Sequence, residues 1–517
     1  MLIFFMMTLV GFSQKDSNQT TRPNIVFIFS DDHATNAISA YGGIFKDIAP
    51  TPNIDRIANE GALLKNALCT NAICGPSRAA ILTGKYSHVN GYFKNYKGGV
   101  FNNQQWTYPQ SLQASGYQTA LIGKWHLVSE PIGFDYYKYH ISKGEQGLYW
   151  DPVYNDNGKK IKEKGYATNL TTDFAMDWLN ERNPNQPFCL MLQYKAPHRQ
   201  WAPDTKYEDL WENQEMPTPS NFNDTYQDRE LTAGNTEMTM DYFSRRDMKM
   251  TPPDSLLKKA RNKWLQYGFK PGEVVTPVKG LNREETRQWK YQKYIKDYLA
   301  TIRSVDDNIG RVLEYLKVNG LEENTIVIYA SDQGFFLGEH GFFDKRFMYE
   351  EALHMPFIIR YPGKIKPRTV VNDIITNIDF APTLLEMAGV SVPEAVQGKS
   401  FFNNLKGKTS KDWRQSMYYH YYEYPFYHRV QPHYGIRNQR YKLIHFYYDV
   451  DIWEFYDLQN DSSEINNLIN SETHTEIIDS LKTELYRLKE EYGNTMSLSE
   501  LRNISDTDFG GLESNKK

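Results

Sequence analysis

Three cysteines in 517 residues are too few for a disulfide framework, and a chain this long has no need of one. At most one bridge can form among Cys69, Cys74 and Cys189, so at least one thiol needs another explanation. Net charge is equally scarce, at −4. That excludes a general nucleic-acid binder and leaves room for an anionic ligand only where positive charge is gathered locally. Apolar runs long enough to span a bilayer are missing as well. The run from Leu2 to Val10 leads into Gly11 and Ser13 and has the form of a secretory h-region without its basic flank. Residues 1–13 are therefore expected to be a signal peptide and the protein to be exported, to the periplasm or the medium. No cysteine stands where a lipid anchor would be attached, and no internal repeat is present.

What the chain does have is 40% hydrophobic and 24% charged residues, the balance of a globular protein with an ample core. Four short runs are almost continuously apolar and end in polar residues: "PNIVFIFSDDH", "TALIGKWHL", "FCLMLQYKAPH" and "NTIVIYASDQG". Each reads as a strand buried on both faces, as in a parallel sheet. Helical patterns lie between them, among them "TPNIDRIANEGALL" and "YLATIRSVDDNIGRVLEYLKVNG", the latter stopped by Gly320. The alternation predicts an α/β sheet with helices on both faces, in a catalytic domain over 22–405. Within it, residues 199–290 are rich in Pro, Asp, Asn, Met and Trp without a clear period and read as an irregular insertion. From about Trp413 aromatic, alternating runs predict antiparallel strands, and "TEIIDSLKTELYRLKEEYG" predicts a helix. These make a small α+β C-terminal subdomain over 413–496. The polar tail, 497–517, is expected to fray.

Ligands bind beyond the carboxyl ends of parallel strands. The first run delivers Asp31 and Asp32 there, the second Lys124 and His126, the third His198, and the fourth Asp332 and Gln333. Asp31-Asp32 alone could equally be a helix cap, but four strand ends in agreement point to a site. Three carboxylates and an amide oxygen suit a hard divalent cation, Ca²⁺ or Mg²⁺, and not a thiolate zinc site. In "CTNAICGPSRAAILTGKY" Pro76 is expected at the first helical position. A helix N-terminus suits an anion; Cys74 lies just before it and Arg78 about a turn along.

"CGPSRAAILTG" resembles the C-x-P-S-R signature of the type I, formylglycine-dependent sulfatases, and "GKWHL" at 123–127 resembles their second signature. The likeness extends through "KAPH", "SDQGFFLGEHGFFDKRFMYEE", "HMPFIIRYPG", "NIDFAPTLLEMAGV" and "FYDLQNDSSEINNL". It implies an alkaline-phosphatase-like α/β/α sandwich with a smaller C-terminal sheet. It also implies that Cys74, in its Cys-x-Pro-x-Arg context, is oxidised to Cα-formylglycine by a maturation enzyme, and that its hydrate attacks sulfur. By the same resemblance, Asp31, Asp32, Asp332, Gln333 and an oxygen of modified Cys74 would hold one Ca²⁺ per chain. Gln333 replaces the commoner Asn. Arg78, Lys124 and Lys345 would surround the sulfate, His126 would be the base and His198 the general acid.

The expected substrate is a sulfated glycan, as in carbohydrate sulfatases of glycan-degrading bacteria, with an algal glycan such as ulvan placed first and heparin-like glycans next. Arg199, Trp201 and Tyr207, beside His198, are candidates to contact the sugar, as are His428, His433 and Arg437 from the C-terminal part. Polar residues on the outer face of alternating strands would explain the last three without a ligand. Cys69 and Cys189 read as ordinary buried thiols, and His340 either touches the site or holds a turn. Most of the 37 Tyr and 10 Trp belong to packing. The rival readings are a phosphatase or phosphodiesterase of the same fold, a non-catalytic binder of sulfated sugar, and a sulfate transferase.

Overall fold

Asn24–Ser30 (β1) is a seven-residue strand with every residue buried. Such a strand needs neighbours on both edges and cover on both faces. The computed structural model, which describes residues 22–244, 247–249 and 278–511, provides both. The expected signal peptide, 1–13, lies outside the described residues.

The other strands of the main sheet are Ala62–Leu64 (β2), Gln118–Gly123 (β3), Tyr136–His140 (β4), Val153–Asp156 (β5), Lys159–Lys162 (β6), Phe188–Gln193 (β7), Thr325–Ser331 (β8), Phe357–Arg360 (β9) and Thr369–Val371 (β10). Their order is β10-β2-β9-β8-β1-β7-β3-β4-β5-β6. The four apolar runs of the sequence are the four adjacent central strands, β8-β1-β7-β3, all mutually parallel. Towards the edges the sheet turns mixed. β9 runs antiparallel to β8 and β2, and β5 and β6 continue from β4 as an antiparallel ribbon. Only the doubly buried strands stand out in the sequence as continuous apolar runs, so the edge strands leave no such mark.

Alternate residues of β1 feed two cores. Ile25, Phe27 and Phe29 pack with Ile81 and Leu82 and with Leu384 and Leu385; Val26 and Ile28 pack with Ile54, Leu179 and Ile309. The helices responsible are Pro52–Asn59 (α1), Cys74–Thr83 (α2), Ala167–Glu181 (α3), Arg283–Val318 (α4) and Phe380–Met387 (α5). α2 and α5 cover one face, and α1, α3 and α4 the other. The result is the expected α/β/α sandwich.

α4 begins at Arg283, behind a capping box between Asn282 and Glu285. The irregular stretch therefore ends earlier than position 290. What is described of it is not without a core: Trp201, Met216, Phe222, Met240 and Phe243 pack against Tyr291, Tyr294 and Tyr298 of α4.

The C-terminal sheet holds Ser416–Tyr421 (β11), His433–Asn438 (β12), Tyr441–Phe446 (β13) and Ile452–Asp457 (β14), antiparallel and in sequence order. Thr475–Glu491 (α6) lays Ile478, Leu481, Leu485 and Leu488 on it. The tail departs from expectation. Leu498–Asp506 (α7) starts from a capping box at Ser497 and Glu500, and its Leu501 is fully buried. The local cap and one apolar anchor order a segment whose composition is polar. Among the described residues no helix is long and apolar enough to cross a membrane.

Candidate active site

Parallel pairing of β1 with β8, Ser30 opposite Ser331, brings Asp31 and Asp32 level with Asp332 and Gln333. Carboxylate oxygens of Asp31, Asp32 and Asp332 lie within 4.8 Å of one another. All three aspartates and Gln333 are completely buried. Asp32 sits at φ +68°, a left-handed turn that directs its N–H to Asp332 Oδ1 at 3.1 Å. Three cations answer the three carboxylates. Lys124 Nζ bonds Asp31, Lys345 Nζ bonds both oxygens of Asp32 at 2.7 Å, and Arg78 Nε bonds Asp332 Oδ2 at 3.1 Å.

α2 arrives from the other side of this cluster with all ten residues buried. Cys74 is its first residue, so Pro76 is third and not first as expected. It is tolerated there because N–H groups of the first turn have no helical partner. Gly75 has no room for a side chain: a Cβ would meet Asn95 Oδ1 and Tyr92 Cε1 at 2.6 Å. Its N–H donates to Asn95 Oδ1 at 3.1 Å. Ser77 Oγ donates to the carbonyl of Asp332 and accepts from Asn377 Nδ2, which fastens α2 to the end of β8. Gly84, at φ +62°, closes the helix in the left-handed conformation. Cys74 Sγ then faces Asp32 Oδ1 at 4.0 Å.

Arg78 also donates through Nη1 to the Lys124 carbonyl at 3.0 Å and to Gln193 Oε1 at 2.5 Å. Gln193, the last residue of β7, was not foreseen, although the rule that found the other strand ends applies to it. Gln146 was not foreseen either, and nothing in its sequence context marks it. Its Oε1 accepts from Lys124 Nζ at 2.7 Å, so its Nε2 donates to His126 Nε2 at 2.8 Å. Glu145 next to it accepts the N–H groups of Leu127 and Val128. This holds a turn in which His126 and Val128 both have positive φ. His198 donates from Nδ1 to the Arg199 carbonyl at 2.6 Å, since a carbonyl only accepts. Its Nε2 therefore carries the lone pair and points at Asp32 Oδ2, 3.8 Å away.

Burial shapes the proton affinities. It works to raise Asp31, but the Lys124 ammonium and the Arg78 guanidinium hold that carboxyl well below the usual range. Asp32 is pushed up to about 7 by burial and its carboxylate neighbours, against Lys345. Asp332 rises to about 6 through burial and Asp31. Burial and the nearby Lys124 ammonium keep the imidazoles of His126 and His198 well below their ordinary value, hence neutral. The Cys74 thiol is pushed well up, chiefly by burial, so as a cysteine it is a poor nucleophile.

The donor set fits a hard divalent cation. Asp31 Oδ1 and Gln333 Oε1 are buried acceptors without a hydrogen-bond partner. Gln333 turns its Nε2 to Asp32 and Asp332, and a half-turn of the amide exchanges that nitrogen for the orphaned oxygen. Three carboxylates balance three cations as the cluster stands. A divalent cation and a sulfate dianion would together leave that balance unchanged.

The proposed sugar contacts divide. Arg199 lies at the edge of this site, paired with Asp247 at 2.6 Å and Asp344 at 3.4 Å and bonded to His428 Nε2 at 3.0 Å. Trp201 is fully buried against Phe243 and Tyr294 and has no face free for a sugar. His433 is enclosed, its Nδ1 on the Gln431 carbonyl and its Nε2 on the Met348 N–H. Arg437 is buried and paired with Glu350. Tyr207 reaches Asp307, on α4. These four readings are corrected: aromatics and cations near the site in sequence serve the packing around it. His340 holds Asp224 at 2.7 Å and has a structural place. All three cysteines are free and buried.

A parallel sheet whose strand ends gather acids, cations and imidazoles around a helix-borne residue defines an ester hydrolase of the alkaline-phosphatase architecture, built for an anion. The chain belongs to the sulfatase family, whose model matches residues 23–390, and is a sulfuric ester hydrolase. A second model, N-sulphoglucosamine sulphohydrolase, C-terminal, matches residues 338–491. The chain is 48% identical over 480 residues to an N-acetylglucosamine-6-O-sulfatase of Bacteroides thetaiotaomicron, covering 89% of this chain and 85% of that one. It is 26% identical to the human N-acetylglucosamine-6-sulfatase over 77% of this chain and 67% of the relative. A solved structure in complex with its substrate D-glucosamine-2-N,6-O-disulfate superposes with a TM-score of 0.86 and 44% identity, covering 93% of this chain and 100% of that one. The phosphonate monoester hydrolase of Agrobacterium radiobacter, 18% identical with a TM-score of 0.69 over 91% of this chain and 96% of that one, shares the fold alone.

Proposed function

We propose that this sulfatase removes the 6-O-sulfate of a glucosamine residue in a sulfated glycan and releases inorganic sulfate. The observation that carries the reading is the meeting of Cys74, at the buried start of α2, with three carboxylates and three cations at the ends of the parallel strands. The glucosamine assignment is supported by the likeness to the Bacteroides N-acetylglucosamine-6-O-sulfatase and puts heparin-like glycans ahead of ulvan.

Asp31, Asp32, Asp332 and Gln333, with an oxygen on residue 74, would hold one Ca²⁺. The ion would offset sulfate charge and favour ionisation of an oxygen acid beside it. Residue 74, converted by a formylglycine-generating enzyme, would offer a hydrate hydroxyl to sulfur. Lys124, Lys345 and Arg78 cradle the sulfate oxygens where charge concentrates in the transition state. His198 Nε2 faces the cluster, and the negative charge of the arriving sulfate ester favours its protonation. It then passes that proton to the departing sugar oxygen. His126 takes the proton released when sulfate leaves residue 74, at Nε2, the atom that Gln146 keeps as an acceptor. Export, and the division into a catalytic domain over 22–405 and a C-terminal subdomain over 413–496, are part of this proposal.

A phosphatase is disfavoured by the cysteine at position 74 and by a cluster that offers no second set of His and Asp ligands among the described residues. A mere binder has no use for a complete set of acid, base and cations. A transferase would need an acceptor alcohol to raise the rate. The test is incubation of protein matured with a formylglycine-generating enzyme with N-acetylglucosamine 6-sulfate and with aryl sulfates, measuring free sulfate. Rapid aryl sulfate hydrolysis with an untouched sugar sulfate would reject the glucosamine assignment.

A further inference from the structure

Two adjacent aromatic residues, Phe426 and Tyr427, stand 49% and 41% exposed. With half-buried Tyr96 they form one patch. The Tyr96 ring is 4.7 Å from that of Phe426 and 6.2 Å from that of Tyr427, centroid to centroid. Tyr486, 50% exposed, lies instead on α6. The patch is tied to both walls of the site. Tyr427 precedes His428, whose Nε2 accepts from Arg199 Nη1 at 3.0 Å and lies 3.1 Å from Asp344 Oδ2, beside Lys345. Tyr96 follows Asn95, whose Oδ1 accepts the Gly75 N–H one residue after Cys74. The N–H groups of Asn95 and Tyr96 both donate to Glu423 Oε2, while Glu423 Oε1 holds Arg346 at 2.6 Å. The patch is therefore fixed, by buried hydrogen bonds, to the backbone that carries residue 74 and Lys345.

We propose that Tyr96, Phe426 and Tyr427 form a stacking platform for the pyranose that is glycosidically linked to the sulfated sugar. The inference rests on the sulfated-glycan reading of the buried site. The sulfated end must enter a closed cluster in which His198, at 12% side-chain exposure, is among the most accessible groups. The rest of the chain must leave past the rim. A pyranose presents an apolar C–H face, and exposed aromatic rings cover such a face with little loss of side-chain entropy. Lys97, next to Tyr96, is paired with Asp508 at 3.1 Å.

The experiment compares kcat/KM for N-acetylglucosamine 6-sulfate and for a tetrasaccharide with that sugar at its non-reducing end. It uses the matured wild type, Phe426→Ala, the double variant Phe426→Ala/Tyr427→Ala, and Tyr486→Ala as a remote control, with thermal melts to show folding. Wild type and control should prefer the tetrasaccharide. The double variant should lose about tenfold of that preference, mainly through KM, the effect of truncating a packed aromatic contact. Equal kcat/KM for the two substrates in the wild type, or an unchanged preference in the folded double variant, would overturn the platform and leave the sulfatase reading intact. A wild type inert on both sugars would overturn the two together.

Discussion

Two buried charge clusters in this molecule look alike in composition and differ in purpose. At the strand ends, Asp31, Asp32 and Asp332 face Lys124, Lys345 and Arg78. Beneath the C-terminal sheet, Glu350 and Glu464 face Arg437 and Lys442, with Lys442 Nζ 2.8 Å from Glu350 and 2.7 Å from Glu464. Both are balanced in sign and shut away from water. The second joins parts of the chain about 90 residues apart and holds the small sheet against the large one. Each leaves buried polar atoms without hydrogen-bond partners: Asp31 Oδ1, Gln333 Oε1 and Arg78 Nη2 in the first, Arg437 Nη1, Lys442 Nζ and Glu464 Oε1 in the second. What separates them is that the first gathers three carboxylates within 4.8 Å of one another and sets Cys74 Sγ against them, so the first cluster is arranged for guests and the second for itself.

That contrast can be broken by mutation. Cys74→Ala should lower sulfate release by about 10⁴-fold or more, the scale of losing a nucleophile, while the melting temperature barely moves. A cooperative loss of folding in this variant would contradict it. Lys442→Met should do the reverse: about 3–5 kcal/mol of stability is lost, because Glu464 stays buried without its cation while Glu350 keeps only Arg437. Its kcat/KM per folded molecule should stay within about twofold of wild type, as read by denaturant melts beside active-site titration. Chelation sharpens the distinction. Removing the cation should abolish activity and, at about 100 times its Kd, about 2.7 kcal/mol of stability, both restored by Ca²⁺. Zinc recovered at two ions per chain would argue for the phosphatase rival. The smallest effect is expected for Trp201→Phe, roughly 1–3 kcal/mol of stability. An accompanying rise in KM for sugar sulfates would return Trp201 to the binding site.

The four central strands are legible because burial on both faces writes a continuous apolar run, and their polar ends name most of the cluster. The edge strands are short or half exposed, so their antiparallel pairing leaves no such trace. Trp201, His433 and Arg437 mislead for one physical reason: aromatics and cations that support a site from behind have the same composition as those that line it. Gln146 escapes notice because an amide bridging Lys124 to His126 exists only once the turn at Glu145 has closed.

The burial of α2 also sets a clock. Cys74 is 1% exposed and its whole helix is covered, so on the proposed reading no enzyme can oxidise it once the sheet has closed. Closure waits for β8, which flanks β1 and begins at Thr325, 251 residues after Cys74 (325 − 74). At the pace of protein synthesis, roughly 5–20 residues per second, that leaves an interval of roughly 13–50 s after residue 74 is made. The order of the strands thus gives the maturation enzyme its working time, and a circular permutant that placed β8 before α2 in the chain would shorten it.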